Sequence, residues 1–219
     1  MPRYNLSNDE LIPDIENLNQ ILQSLKDEVE NIGFLNPEKE YKIKREIIGV
    51  LSELIAYTHE NDYLEDKARF LEEIEEDEEA LEILRELAIK NPDNKKYADL
   101  YTDKLNSLSM DAYFKDQSDA AGVYSRQAIN HQLAFLKRNP EAVFNNRGLG
   151  ECLIVSAEME ICIGNLPKAT LQLKQALKIF ESLDSKAKQT FKDTHPDIEL
   201  YNDKIEIIRQ MAENAGLII

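Results

Sequence analysis

The sequence predicts an all-α fold of antiparallel helix hairpins, seven to eight helices in total. Three observations carry that prediction. The 219 residues include only seven Gly, seven Pro and no Trp, and 31% are charged; Leu, Ile, Ala, Glu and Lys, all common in helices, dominate. Apolar residues recur at steps of three and four between capping residues. Finally, several stretches return after a shift of 48 residues, the mark of stacked units.

Near the N-terminus, Ser7-Asn8-Asp9-Glu10 has the form of a capping box, with Pro13 favouring a helix start closer to itself. The stripe Ile15, Leu18, Leu22, Leu25, Val29, Ile32 steps 3-4-3-4-3, and Gly33 is placed to end that helix. Under three heptads long, the seam is expected to pack on the next hairpin, with self-dimerisation as the alternative. Residues 1–36 are therefore read as an N-terminal packing helix, and 37–219 as a repeat domain. Asn36-Pro37-Glu38 restarts the chain as cap, first-turn proline and favourable charge. Ile43, Ile47, Leu51 and Leu54 carry the stripe onward to about His59.

One long helix is expected from about Tyr63 to Lys90. Its centre is Glu72-Glu73-Ile74-Glu75-Glu76-Asp77-Glu78-Glu79, seven acids in eight residues, whose mutual repulsion acts either to fray this helix or to break it near Glu76. The 48-residue shift takes Ala80 to Ala128, Asn91-Pro92 to Asn139-Pro140, and Ala121 to Ala169. Asn-Pro closes two helices because proline cannot continue a helix and restricts its predecessor. Gly164 ends a helix, Asn165 is placed to cap the next, and Pro167 fits its first turn. Ala169 and Ala176 then leave room for a neighbouring helix, with Leu173, Phe180 and Leu183 filling the stripe. The polar stretch Asp184–Thr194 continues that helix for a turn or more. His195-Pro196-Asp197 opens a last helix through Tyr201, Ile205 and Ile208, and Gly216 ends it. Gly148 and Gly150, costly in a helix interior, imply a close backbone approach or a bend.

A helix, a tight turn and a second helix, with Leu153, Ala157, Gly164, Ala169 and Ala176 in frame, resembles a tetratricopeptide (TPR) repeat. The second-helix proline of that family is absent, Glu181 standing in its place. The resemblance implies a TPR-like α-solenoid with extended units at about 38–90, 93–138 and 141–183 and a capping helix at 195–215. His-Pro-Asp at 195–197 is similar to the kinesin-light-chain-like branch. The resemblance further implies that the chain holds another protein or peptide on a concave face lined by first helices. On that reading Asn145, Asn146, Arg147, Asp103, Lys104, Asn202, Asp203 and Lys204 contact the partner. The run of Glu72, Glu73, Glu75, Glu76, Asp77, Glu78 and Glu79 offers a second surface, for a basic partner, unless it is simply a solvated helix face.

The net charge of −16 repels phosphate backbones and argues against nucleic acid. No run of about 18 apolar residues is present, so no helix is expected to cross a membrane. Met1-Pro2-Arg3-Tyr4-Asn5 lacks the apolar core of a signal peptide, and a cytoplasmic location is expected. Cys152 and Cys162 read as small buried residues in a reducing compartment. His59, His131 and His195 fall in different units with no reactive Ser or Cys beside them, and His131 is expected to be exposed. Catalysis, cofactor and metal are accordingly not expected. Three functional readings stand: a binding scaffold or adaptor, a dedicated chaperone-like or regulatory subunit, and, less favoured, an enzyme using scattered carboxylates.

Overall fold

In the computed structural model, residues 15–32, 36–140, 146–191 and 196–219 are described, and among them the chain is all-α. The capping box at Ser7, the stop at Gly33, and Asn145 and His195 lie outside these residues. Nine helices are described, one or two more than expected: α1 Ile15–Ile32, α2 Pro37–Thr58, α3 Asn61–Glu73, α4 Asp77–Lys90, α5 Lys95–Phe114, α6 Ser118–Arg138, α7 Asn146–Cys162, α8 Leu166–Phe191 and α9 Pro196–Asn214. No described helix is long and apolar enough to cross a membrane. The chain divides into two compact units, Met1–Leu87 and Ala88–Ile219.

In the first unit α2 packs against α1 and α3. Asn36 caps α2 by accepting from the Lys39 N–H at 3.1 Å, with Pro37 opening the helix. The core gathers Leu18 and Leu22 of α1, Ile47, Leu51 and Leu54 of α2, and Ala68 and Leu71 of α3. Tyr63 Oη donates to Asn19 at 3.0 Å and Lys26 pairs with Asp66 at 2.6 Å. The seam of α1 is thus engaged within its own unit.

The single helix expected over 63–90 is instead two helices. Three residues, Ile74-Glu75-Glu76, turn between α3 and α4, and Glu75 takes the left-handed conformation at φ 63°. The Glu76 N–H reaches Leu71 O at 2.9 Å and the Glu75 N–H reaches Glu72 O at 3.1 Å, the paired bonds of a Schellman cap. The same cap recurs three times. Asp116 (φ 59°), Gly164 (φ 80°) and Gly216 (φ 67°) occupy the left-handed position, and the N–H groups of Gln117, Asn165 and Leu217 reach Ala112 O, Glu160 O and Ala212 O at 2.8, 2.7 and 2.8 Å. Asn165 does not cap α8 through its side chain; its amide turns back to donate to Glu160 at 2.7 Å.

These four turns reset the repeat. Ala80, Ala121 and Ala169 each lie five residues beyond the left-handed residue, and all three are buried, at 0, 2 and 0% exposure. Ala80 therefore corresponds to Ala121, not to Ala128 as the 48-residue shift implies. Asn91 and Asn139 still mark corresponding helix ends. Both alignments hold because α6, at 21 residues, is seven longer than α4, at 14. Seven residues are about two helical turns, so the insertion preserves the buried face. The expected unit 38–90 holds three helices, α2, α3 and α4, with α2 packed on α3.

In the second unit α6 packs on α5 and α7, α8 on α7 and α9, and α5 directly on α7. The first helix α5 thus stacks directly on the first helix α7. The main core joins Leu153 and Ala157 of α7, Leu173, Ala176 and Phe180 of α8, and Tyr201 and Ile208 of α9. Gly150 allows a close approach to α8: a Cβ there would stand 2.7 Å from Phe180 Cε2.

Candidate interaction face

Helices α5 and α7 are the first helices of successive hairpins, α9 is the helix that follows them, and corresponding residues on the three share one register. Counting thirteen residues back from Asp116, Gly164 and Gly216 reaches Asp103, Glu151 and Asp203. One turn earlier, Asp99 on α5 corresponds to Arg147 on α7. Across this register Glu151 acts on Asp103 of α5, and Lys204 of α9, next to Asp203, reaches Glu151. The same count from Glu75 gives Asp62 on α3, so an acid holds this register in all four helices.

Glu151 is the centre. Arg147 Nε donates to its Oε1 at 3.2 Å from one turn away on α7, and Lys204 Nζ approaches the same oxygen at 3.8 Å from α9. On α5 Lys95 pairs with Asp99 one turn along. Asp103 is open to solvent, yet the protein massed around it and the charges of Glu151 and Asp99 push its pKa up to about 6, against the opposing pull of Arg147 and Lys95.

Beneath the charged layer lies a polar seam. Gln132, wholly buried on α6, donates through Nε2 to Thr102 Oγ1 at 3.0 Å and to Asp99 Oδ1 at 3.4 Å. Gly148 admits this amide against α7, since a Cβ there would stand 2.6 Å from Gln132 Nε2. Asn106 donates to Cys152 Sγ at 3.7 Å. Burial pushes the Cys152 thiol up to about 12, so it stays protonated and is a poor nucleophile.

Of the residues predicted from sequence, Asp103, Arg147 and Lys204 converge on Glu151. Asn146, Asn202 and Asp203 are exposed on α7 and α9. Lys104 is only 7% exposed and lies on the packed side of α5. Asp99, Glu151 and Gln132 are additions. Sequence offered one signal for two of them, because the 48-residue shift that aligns the hairpins also carries Asp103 to Glu151 and Asp99 to Arg147.

The acidic strip is not one helix face, since the α3–α4 turn divides it. Part of it is met by cations of its own unit. Glu73 pairs with Lys44 at 3.0 Å and with Arg69 at 3.2 Å, Glu76 with Arg45, and Glu79 with Lys67 at 2.8 Å. Glu72, Glu75 and Glu78 are exposed, and Asp77 is half-buried.

Two further expectations are corrected. Cys162 is exposed rather than buried, because it lies in the last turn of α7 just before the cap. There its thiol meets the Tyr113 hydroxyl, whose pKa that contact raises. His131 is half-buried rather than exposed. It packs edge-on to Tyr101 with ring centroids 4.9 Å apart, and burial followed by the Arg138 charge lowers its pKa. Two turns added to α6 carry His131 against α5, which the stripe alone did not place.

No protein-family model matches the sequence, and no curated protein matches it. Among solved structures, the chain is similar to BtubC (BKLC) from P. vanneervenii, at 12% identity over 94% of this chain and 93% of that one, with a TM-score of 0.41. The helix-hairpin fold itself is read from the caps and packing described above.

Proposed function

We propose that this chain is a non-catalytic protein-interaction module that holds a segment of a basic protein or peptide partner against the face of α5, α7 and α9. The observation that carries the reading is the convergence of Asp103, Arg147 and Lys204 on Glu151, three helices contributing to one charged surface. Carboxylates at a repeated register suit a ligand that presents several cations along its length, and the charge of −16 steers such a ligand inward. Extended helices and the Pro196-Asp197 start of α9 favour the kinesin-light-chain-like branch of the TPR superfamily, and two free cysteines suit a cytoplasmic setting.

The test is affinity capture from the native host with three proteins: the wild type, a Glu151→Lys/Asp203→Lys double variant, and one with Glu72, Glu75 and Glu78 changed to Gln. A partner recovered by the wild type and the strip variant but lost with the double variant supports the reading. Loss with the strip variant alone moves the interface to the α3–α4 turn and sinks it.

A further inference from the structure

A cavity of about 40 Å³ opens between α5, α6, α7 and the start of α8, away from the charged residues around Glu151. Its floor is buried and its rim, at Ser118, Arg126 and Lys168, is exposed. Three floor residues break the pattern of the other hairpins when all are aligned on the left-handed turn residue. Ser125 stands where α4 has Leu84 and α8 has Leu173. Ser156 stands where α5 has Leu108 and α9 has Ile208, although α3 has Lys67 there. Glu160 stands where α3, α5 and α9 have Leu71, Ala112 and Ala212. Apolar positions have become polar at one place, and the three replacements line the same space.

The polar atoms there are chiefly donors. Ser125 is 3% exposed and its Oγ has no hydrogen-bond partner. A helical serine ordinarily bonds the carbonyl four residues back, but Ser109 Oγ already donates to that carbonyl, Ala121 O, at 2.7 Å. Ser156 Oγ accepts from Gln172 Nε2 at 2.7 Å, which leaves its own hydrogen to donate. No acid pairs with Arg126 among the described residues. Glu160 is already satisfied, accepting from Lys168 through Oε1 and from Asn165 through Oε2. With Arg126 and Lys168 against Glu160, the cavity carries a formal charge of one positive in a strongly acidic chain.

A buried hydroxyl without a partner is costly, and a cavity of this size holds about three waters or one tetrahedral ion. We propose that this cavity is a binding site for a compact phosphate-class oxyanion, held by the Ser125 and Ser156 hydroxyls on the floor and by Arg126 and Lys168 at the rim. Free phosphate and a phosphorylated side chain share this chemistry.

The full chain is titrated by calorimetry with inorganic phosphate and, separately, with O-phosphoserine, ionic strength being held constant with chloride. The expected result is saturable binding of at least one of the two, weakened at least tenfold by Arg126→Gln and by Ser125→Leu. The leucine restores the residue of α4 and α8 and fills the space. Lys188→Gln, which removes an exposed cation elsewhere on α8, leaves affinity within twofold. Phosphate bound without O-phosphoserine identifies the free ion as ligand, and tighter O-phosphoserine identifies the side chain. No saturable heat with either probe overturns the proposal. So does unchanged affinity in Arg126→Gln, a rim variant that leaves the core intact.

Discussion

Asp103 and Glu151 occupy equivalent places on neighbouring helices, and like charges so arranged oppose each other's ionisation. Arg147 and Lys204 lie on Glu151. At Asp103 desolvation first, and then the charges of Glu151 and Asp99, outweigh the pull of Arg147 and Lys95, and its carboxyl is raised from 3.8 to about 6. A raised carboxyl gives stability that is fully present at low pH and is lost as pH climbs from the unfolded value to the folded one. Asp103→Asn removes the penalty. At pH 7 it should stabilise the protein by about 0.5 kcal/mol, most of the formal effect being screened because the side chain is solvent-exposed. The gain should fall between pH 6 and pH 4 and vanish near pH 3.8. Urea denaturation of both proteins across that range measures it, and a gain independent of pH would mean that Asp103 does not titrate as described.

At the level of elements, the same three-residue turn is made four times, and its left-handed residue is Gly only at Gly164 and Gly216. A side chain in that conformation costs about 1–2 kcal/mol. Glu75→Gly and Asp116→Gly should each stabilise by about 0.5–1 kcal/mol, the greater freedom of the unfolded glycine offsetting part of the gain. The denaturation midpoint reads this directly, and a loss in either variant would show that the side chain contributes more than the strain it bears. Gly150 behaves in the opposite way. Alanine is worth about 1 kcal/mol in helix propensity, but its Cβ would meet Phe180, which is wholly buried and cannot retreat. Gly150→Ala should therefore destabilise by about 1–3 kcal/mol.

These turns also show what could be read from sequence. Gly164 and Gly216 announce their caps, as Asn36-Pro37 and the two Asn-Pro pairs announce helix limits, because only certain residues satisfy those backbone demands. The turn at Glu75 sends no capping signal, only the mutual repulsion of the acidic run around Glu76. A glutamate in a left-handed cap sits inside an unbroken run of helix formers, so α3 and α4 read as one helix. That miss shifted the repeat by seven residues, a change that leaves the apolar face in phase and is invisible to periodicity.

For the whole molecule, the all-α class and the hairpin order were legible because they follow from apolar spacing and caps alone. The candidate site was legible in part. Asp103, Arg147 and Lys204 stood out as polar residues on first helices, whereas Glu151 and Gln132 acquire their roles only when α5, α6, α7 and α9 are packed together. On the proposed function, the net charge of −16 acts at this scale by steering a basic partner inward, and the predicted association rate falls as salt shortens the screening length. The most direct test of the account is hydrogen–deuterium exchange on the chain alone and with its captured partner. Binding at the proposed face predicts slowed exchange concentrated in α5, α7 and α9. Protection confined to α3, α4 and the turn between them would contradict it.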